Sequence, residues 1–315
     1  MIRTVLGDID PALLGSTNYH EHLFQITPLL PGDELDDEMR STTEAGLLRD
    51  SGFSAMVDAT PFGLGRNPEA VARISATTGL HVVATTGRHR EAHYDQHHPT
   101  RSRDAAQLAQ QFVTEITEGM PLTDAAASGP RARTPDGAGV RAGVLKGGID
   151  YWRISDFERT TLQALAAAHR ATGAAIMVHL EFCTAAHEVL DLLASEGVAA
   201  ERVVLAHADR DPDAGLHASL AERGAYLGYD GFARPRTRSD AELLALTAAA
   251  VAQGAGDRIV LGGDVARRTR YSAYGGMPGL AYLGERYLPR LRDVVGDAAV
   301  ERMLIANPAR LLTLS

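Results

Sequence analysis
Along the chain, short runs of β-branched and small apolar residues alternate with longer stretches whose apolar residues recur at helical spacing. The runs predict strands at 15–22 (GSTNYHEH), 54–60 (SAMVDAT), 81–87 (HVVATTG), 141–148 (RAGVLKGG), 174–180 (AAIMVHL), 202–208 (RVVLAHA), 224–232 (GAYLGYDGF) and 258–264 (RIVLGGD). Helices are predicted near 39–50, 65–78, 103–119, 155–171, 184–195, 212–222, 239–254 and 279–296. Several strands are apolar throughout rather than alternating, as happens when both faces of a sheet are covered. Eight strand–helix units in series predict an α/β chain folded as a (β/α)8 TIM barrel, one domain spanning 1–315. A doubly wound open sheet is the rival, but no GxGxxG follows the first strand, which disfavours its dinucleotide-binding version. The one break in the alternation, 121–139 (PLTDAAASGPRARTPDGAG), reads as a long surface loop.

Composition narrows the classes. With 315 residues, 45% of them hydrophobic, the chain can bury a large core. A net charge of -9 argues against a nucleic-acid surface, and a mean hydropathy of -0.12 argues against a membrane protein. The opening MIRTVLGDIDPALLG holds no apolar run long enough for a signal peptide, so a cytoplasmic location is expected. Cys183 is the only cysteine, which excludes an intrachain disulfide and a thiolate zinc site. Any metal must therefore be held by imidazole, carboxylate or a less usual donor.

The polar residues that close the apolar runs carry the chemistry. His20 and His22 stand one residue apart on the first strand and face the same way. Lys146 closes the fourth strand, His179 the fifth, His207 the sixth and Asp264 the eighth. Singly, each has an ordinary reading: a solvated histidine, a lysine snorkelling to the barrel mouth, an aspartate capping a helix. Together they put six such groups at the C-terminal end of one barrel, where chemistry sits in this architecture.

That order, with the local wording YHEHLF, RAGVLKGG, VVLAHADRDPD, LGGDVARR and ANPARLL, resembles the phosphotriesterase family of the amidohydrolase superfamily from about residue 15 to 312. The resemblance implies a binuclear metal centre, with one divalent ion on His20, His22 and Asp264 and the second on His179 and His207. Lys146, carboxylated on its amine, would bridge both. Burial lowers a lysine pKa toward the neutral amine that carbon dioxide requires. Imidazole and carboxylate donors suit zinc, with manganese or cobalt as alternatives. Such a centre holds a bridging hydroxide at neutral pH, and Asp264 beside it is placed to carry the proton. Asp209 and Asp211 are expected either to orient a ligand imidazole or to charge a helix N-terminus. Glu21 is expected to turn away from the metals.

Substrate choice lies in the strand-to-helix loops. These bring Arg88 and His89 after the third strand, Arg234 after the seventh, and Arg267, Arg268, Arg270 and Tyr271 after the eighth. Arginine forks at a pocket read carboxylate or phosphate, so the expected substrate is a small anionic ester or lactone, such as a phosphorylated sugar lactone. Organophosphate triester hydrolysis is the expected side activity. The alternatives are an amide hydrolase on the same site and a catalytically silent binding barrel. Relatives are commonly homodimers. Gly275, Gly276 and Gly279 suggest a segment over the site, lined by Met277 and Leu280.

Overall fold
A computed structural model describes residues 1–124 and 129–314. The chain opens with a short antiparallel hairpin, β1 (Ile2–Thr4) and β2 (Gly7–Ile9), which the periodicity does not predict. Three-residue strands are too short to show one. Eight parallel strands follow: β3 (Thr17–Glu21), β4 (Ala55–Asp58), β5 (His81–Gly87), β6 (Val144–Ile149), β7 (Ala175–Leu180), β8 (Val203–Ala206), β9 (Tyr226–Tyr229) and β10 (Ile259–Leu261). They pair in chain order from β3 to β10. The ring closes where the Asp264 amide donates to the His20 carbonyl at 2.9 Å. The result is a TIM barrel.

Helices α1 (Glu38–Asp50), α2 (Pro68–Thr78), α3 (Ala105–Thr117), α4 (Asp156–Thr172), α5 (Ala186–Ser195), α6 (Ala214–Glu222), α7 (Asp240–Ala252) and α8 (Leu288–Val295) alternate with these strands. Their ends follow local chemistry. Capping boxes start α3 (Asp104, Gln107), α4 (Ser155, Glu158) and α7 (Ser239, Glu242). Left-handed Gly79 and Gly173 end α2 and α4. The segment at 121–139 does more than loop: Pro121 pairs with Arg131 and Arg133 with Gly139 in antiparallel bridges, while 125–128 lie outside the described residues. No helix among the described residues is long and apolar enough to cross a membrane.

Two apolar layers result. Ala175 and Met177 of β7 fill the barrel interior with Val144, Val204 and Val260, whereas Ile176 and Val178 face the helices. Strict alternation then carries the interior row to its end: Val144 to Lys146, Ala175 to His179, Val260 to Asp264. On β3 a register shift between Asn18 and Glu21 breaks the alternation. Tyr19 and then His20 both reach the interior, as a bulge allows. Gly228 and Gly262 leave the room: a Cβ at either would strike the Tyr19 ring or its hydroxyl.

Candidate metal centre
The barrel mouth opens into a cavity of ≈ 380 Å³, with His20, His22, His179, His207 and Asp264 on its wall. Lys146 lies just beneath, fully buried, its Nζ 3.2 Å from His20 Nε2 and 3.1 Å from Met177 Sδ. Asp264 Oδ1 stands 3.7 Å from His20 Nε2 and 3.6 Å from His22 Nε2. His207 and Asp264 both hold left-handed backbone conformations, at φ 64° and 42°. Non-glycine residues take this region at a cost of about 1–3 kcal/mol, typically at functional sites.

The hydrogen bonds of each ring fix which nitrogen is free. Thr60 Oγ1 spends its proton on the Phe24 carbonyl at 2.8 Å, so it accepts from His22 Nδ1 at 2.7 Å. Asp230 accepts from His20 Nδ1 at 3.0 Å and from His207 Nδ1 at 2.6 Å. Glu181 accepts from His179 Nε2 at 2.9 Å. What remains is a lone pair on Nε2 of His20, His22 and His207 and on Nδ1 of His179, that of His20 met by Lys146 Nζ at 3.2 Å. Those of His207 and His179 face each other across 2.8 Å. Burial keeps both rings neutral: His207 lies below its ordinary value and His179 well below, the latter helped by His207 itself. Two such lone pairs on neighbouring rings are donors that a shared cation would satisfy. The donor set therefore fits metal ions.

Two groups of buried side chains converge closely enough to hold an ion, His20–His22–Asp264 and His20–His207–Asp230. The second is better described as a hydrogen-bonded triad, because Asp230 meets both rings at their protonated Nδ1 edges and leaves Nε2 unprotonated. Burial, then nearby Lys146, lowers His20 to about 3. Burial lowers Lys146 to about 8. Burial would raise Asp264, but Arg234 and the surrounding imidazoles outweigh it and hold the carboxylate well below its usual range.

A sequence profile of the phosphotriesterase family matches residues 1–312. The chain belongs to the phosphotriesterase family. Its structure superposes on that of a lactonase from Listeria monocytogenes with a TM-score of 0.89, at 30% identity over 100% of this chain and 99% of the other. A phospho-furanose lactonase from Mycoplasmopsis synoviae is 29% identical over 98% of this chain and 91% of its own length. An N-acetyltaurine hydrolase from Danio rerio is 27% identical over 99% and 97%. Membership in the phosphotriesterase family and the buried imidazole and carboxylate groups converging at the barrel mouth make this protein a metal-dependent hydrolase, and they support a binuclear site.

Several expectations about individual residues need correction. Among the described residues Asp209 hydrogen-bonds to no imidazole; its Oδ2 accepts from the Asp230 and Gly231 amides at 3.1 and 2.7 Å and so pins the loop that carries Asp230. Asp211 Oδ1 accepts from the Asp213 amide at 2.9 Å. The carboxylates that do orient ligand rings are Asp230 and Glu181. Asp230 follows Tyr226 and Gly228 on the inward row of β9, the same parity that marks Asp264 on β10, and that was its signal in the sequence. Glu21 turns aside as expected, bonded to Asn18 Nδ2 at 3.0 Å and to the Val265 amide at 3.1 Å, and burial raises it to about 8.

Of the residues expected to meet substrate, His89, Arg234 and Arg267 line the cavity. Four others lie elsewhere. Arg88 is buried over the Phe157 ring and spends its guanidinium on Thr161 Oγ1 and on the Thr100 and Phe157 carbonyls at 2.7–2.8 Å. Arg270 sits behind Asp264 among the Val265, Phe232 and Ala233 carbonyls. Arg268 lies over the Tyr274 ring at 5.5 Å, and the buried Tyr271 hydroxyl donates to the His22 carbonyl. Nor does the 275–280 segment cover the site: Met277 is exposed and Leu280 packs in the outer core. Gln25, Leu29 and Leu30, after β3, form the cavity's other lip, and Arg90, His93 and Arg210 join its wall.

Proposed function
We propose that this enzyme hydrolyses a small anionic ester or lactone, with phosphorylated sugar lactones as the fitting class. One observation carries the anionic part. The guanidinium groups of Arg90 and Arg234 line the cavity beside the ligand side chains. Guanidinium forks on a pocket wall recognise carboxylate or phosphate. Arg210 and Arg267 add positive charge to the same wall. The names of the lactonase relatives agree with this reading.

Within this proposal His20, His22 and Asp264 hold one ion and His179 and His207 the other, with Lys146 joining them as a carbamate. Carboxylation forms an N–C bond between the neutral Lys146 amine and carbon dioxide and releases one proton. Zinc fits the donors, as do manganese and cobalt. When bound, the two ions supply Lewis acidity for attack by water on the carbonyl. The chain's own residues do the rest. Asp264 takes the proton of the attacking water and returns it to the leaving oxygen. Arg234, 2.7 Å from Asp264 Oδ2, keeps that carboxylate ionised until then. Asp230 and Glu181 hold the imidazole rings in the tautomers that leave the inner nitrogens unprotonated.

Amide hydrolysis is the second reading, favoured by the N-acetyltaurine hydrolase among the relatives. It places the same proton from Asp264 on a departing amine. The deciding experiment reconstitutes the enzyme with zinc, manganese or cobalt and compares kcat/KM for neutral lactones, anionic lactones, amides and phosphate triesters. Equal turnover of neutral and anionic lactones would overturn the anionic reading, and amides as the best substrates would overturn the ester reading.

A further inference from the structure
One carboxylate serves both halves of the centre. Asp230 is fully buried; its Oδ2 takes the Nδ1 proton of His20 at 3.0 Å and its Oδ1 that of His207 at 2.6 Å. The Tyr19 hydroxyl donates to the same Oδ2. The two rings lie 5.1 Å apart, tilted by 32°. The loop itself is clamped by Asp209, which accepts from the Asp230 and Gly231 amides. His22 and His179, by contrast, are oriented separately, by Thr60 and Glu181.

We infer that Asp230 couples the two metal sites, so that they load cooperatively rather than as independent positions. This rests on the assignment of His20 and His207 to different ions. Fixing His20 on the first ion fixes Asp230, and Asp230 then presents His207 in the required tautomer and orientation for the second. Asparagine cannot do this. Its single oxygen accepts from one ring, while its NH2 group confronts the N–H of the other. That second imidazole must move its proton to Nε2, the atom that would face the ion. One site is then weakened selectively. Losing a partner of this kind typically lowers metal affinity about 10–100-fold.

The test strips the full-length enzyme with chelator and titrates it with Zn²⁺ by calorimetry and with Co²⁺ by visible absorption, counting bound ions by mass spectrometry. The wild type is expected to take up two ions in one steep transition. Asp230→Asn should split the uptake into two steps, the weaker about 10–100-fold poorer. Thr60→Val, which frees only His22, should shift the transition without splitting it. Two independent steps in the wild type, or an unsplit isotherm in Asp230→Asn, overturns the coupling. If Asp230→Asn fails to fold, Tyr19→Phe takes its place: a broadened transition supports the coupling and an unchanged one overturns it. A wild type that saturates below two ions refutes the ligand assignment itself.

Discussion
His179 Nδ1 and His207 Nε2 face each other at 2.8 Å, although each ring has already committed its proton elsewhere, to Glu181 and to Asp230. With both protons so placed, two lone pairs face each other, and a bound cation relieves the contact. Chelation should therefore abolish hydrolysis and also destabilise the fold, because the ions bind only where the rings converge. Refilling at a free metal concentration about 100 times Kd should restore about 2.7 kcal/mol of stability for each ion bound. Thermal melts with and without chelator measure it; identical melts would rule the contact out as a metal position.

Lys146 closes the interior row of β6 with no exposed surface, and burial lowers its pKa to about 8. Lys146→Ala should leave the protein with fewer than two ions per chain and lower kcat/KM at least about 100-fold, more than the loss of an outer partner costs. Metal analysis and ¹³C-labelled carbonate NMR check the two halves of this claim. A variant with two ions and full activity would show that Lys146 does not bridge.

Arg267 lies on the cavity wall, half exposed, 3.7 Å from Asp33. Arg267→Ala should raise KM for anionic lactones about tenfold, the scale of a charge-assisted hydrogen bond, and leave neutral lactones unaffected. The comparison is a ratio of KM values on matched substrates. Equal effects on both would assign Arg267 to the fold.

Arg66 is buried between two carboxylates, 2.7 Å from Glu115 and 2.8 Å from Asp124. Arg66→Ala leaves buried charge uncompensated and should cost about 3–5 kcal/mol in denaturant unfolding. The pH dependence follows from Glu115. Burial would raise its pKa, but Arg66 and Gln111 outweigh it and leave it lowered. Its contribution is present above the unfolded carboxyl pKa and is lost as pH falls through the folded value. Asp124, raised by burial, acts in the opposite sense and offsets part of this. Glu115→Gln should flatten the acid side of the stability profile, measured as unfolding midpoint against pH.

The barrel and the gathering of His20, His22, Lys146, His179, His207 and Asp264 at one end of it were legible because both depend on local rules. Period-two alternation sets which residues face inward, and polar groups that end apolar runs stand at the strand tips. The hairpin at residues 2–9 was not legible, since three-residue strands carry too little pattern. Nor was the fate of the arginines. Arg88 and Arg90 are two residues apart in one loop, yet one is spent on backbone carbonyls inside the fold and the other lines the cavity.

Sequence by itself determined the strand order, the inward rows and the chemical types waiting at their ends. Only the tertiary structure decided which carboxylate serves which ring. Asp209 stands two residues from His207 and holds backbone amides, while Asp230, 210 residues from His20, takes protons from both imidazoles. The physical reason is range. Alternation is fixed by neighbouring residues, whereas a hydrogen bond requires two atoms within about 3 Å. Which atoms meet at that distance is settled only when the ring of strands closes.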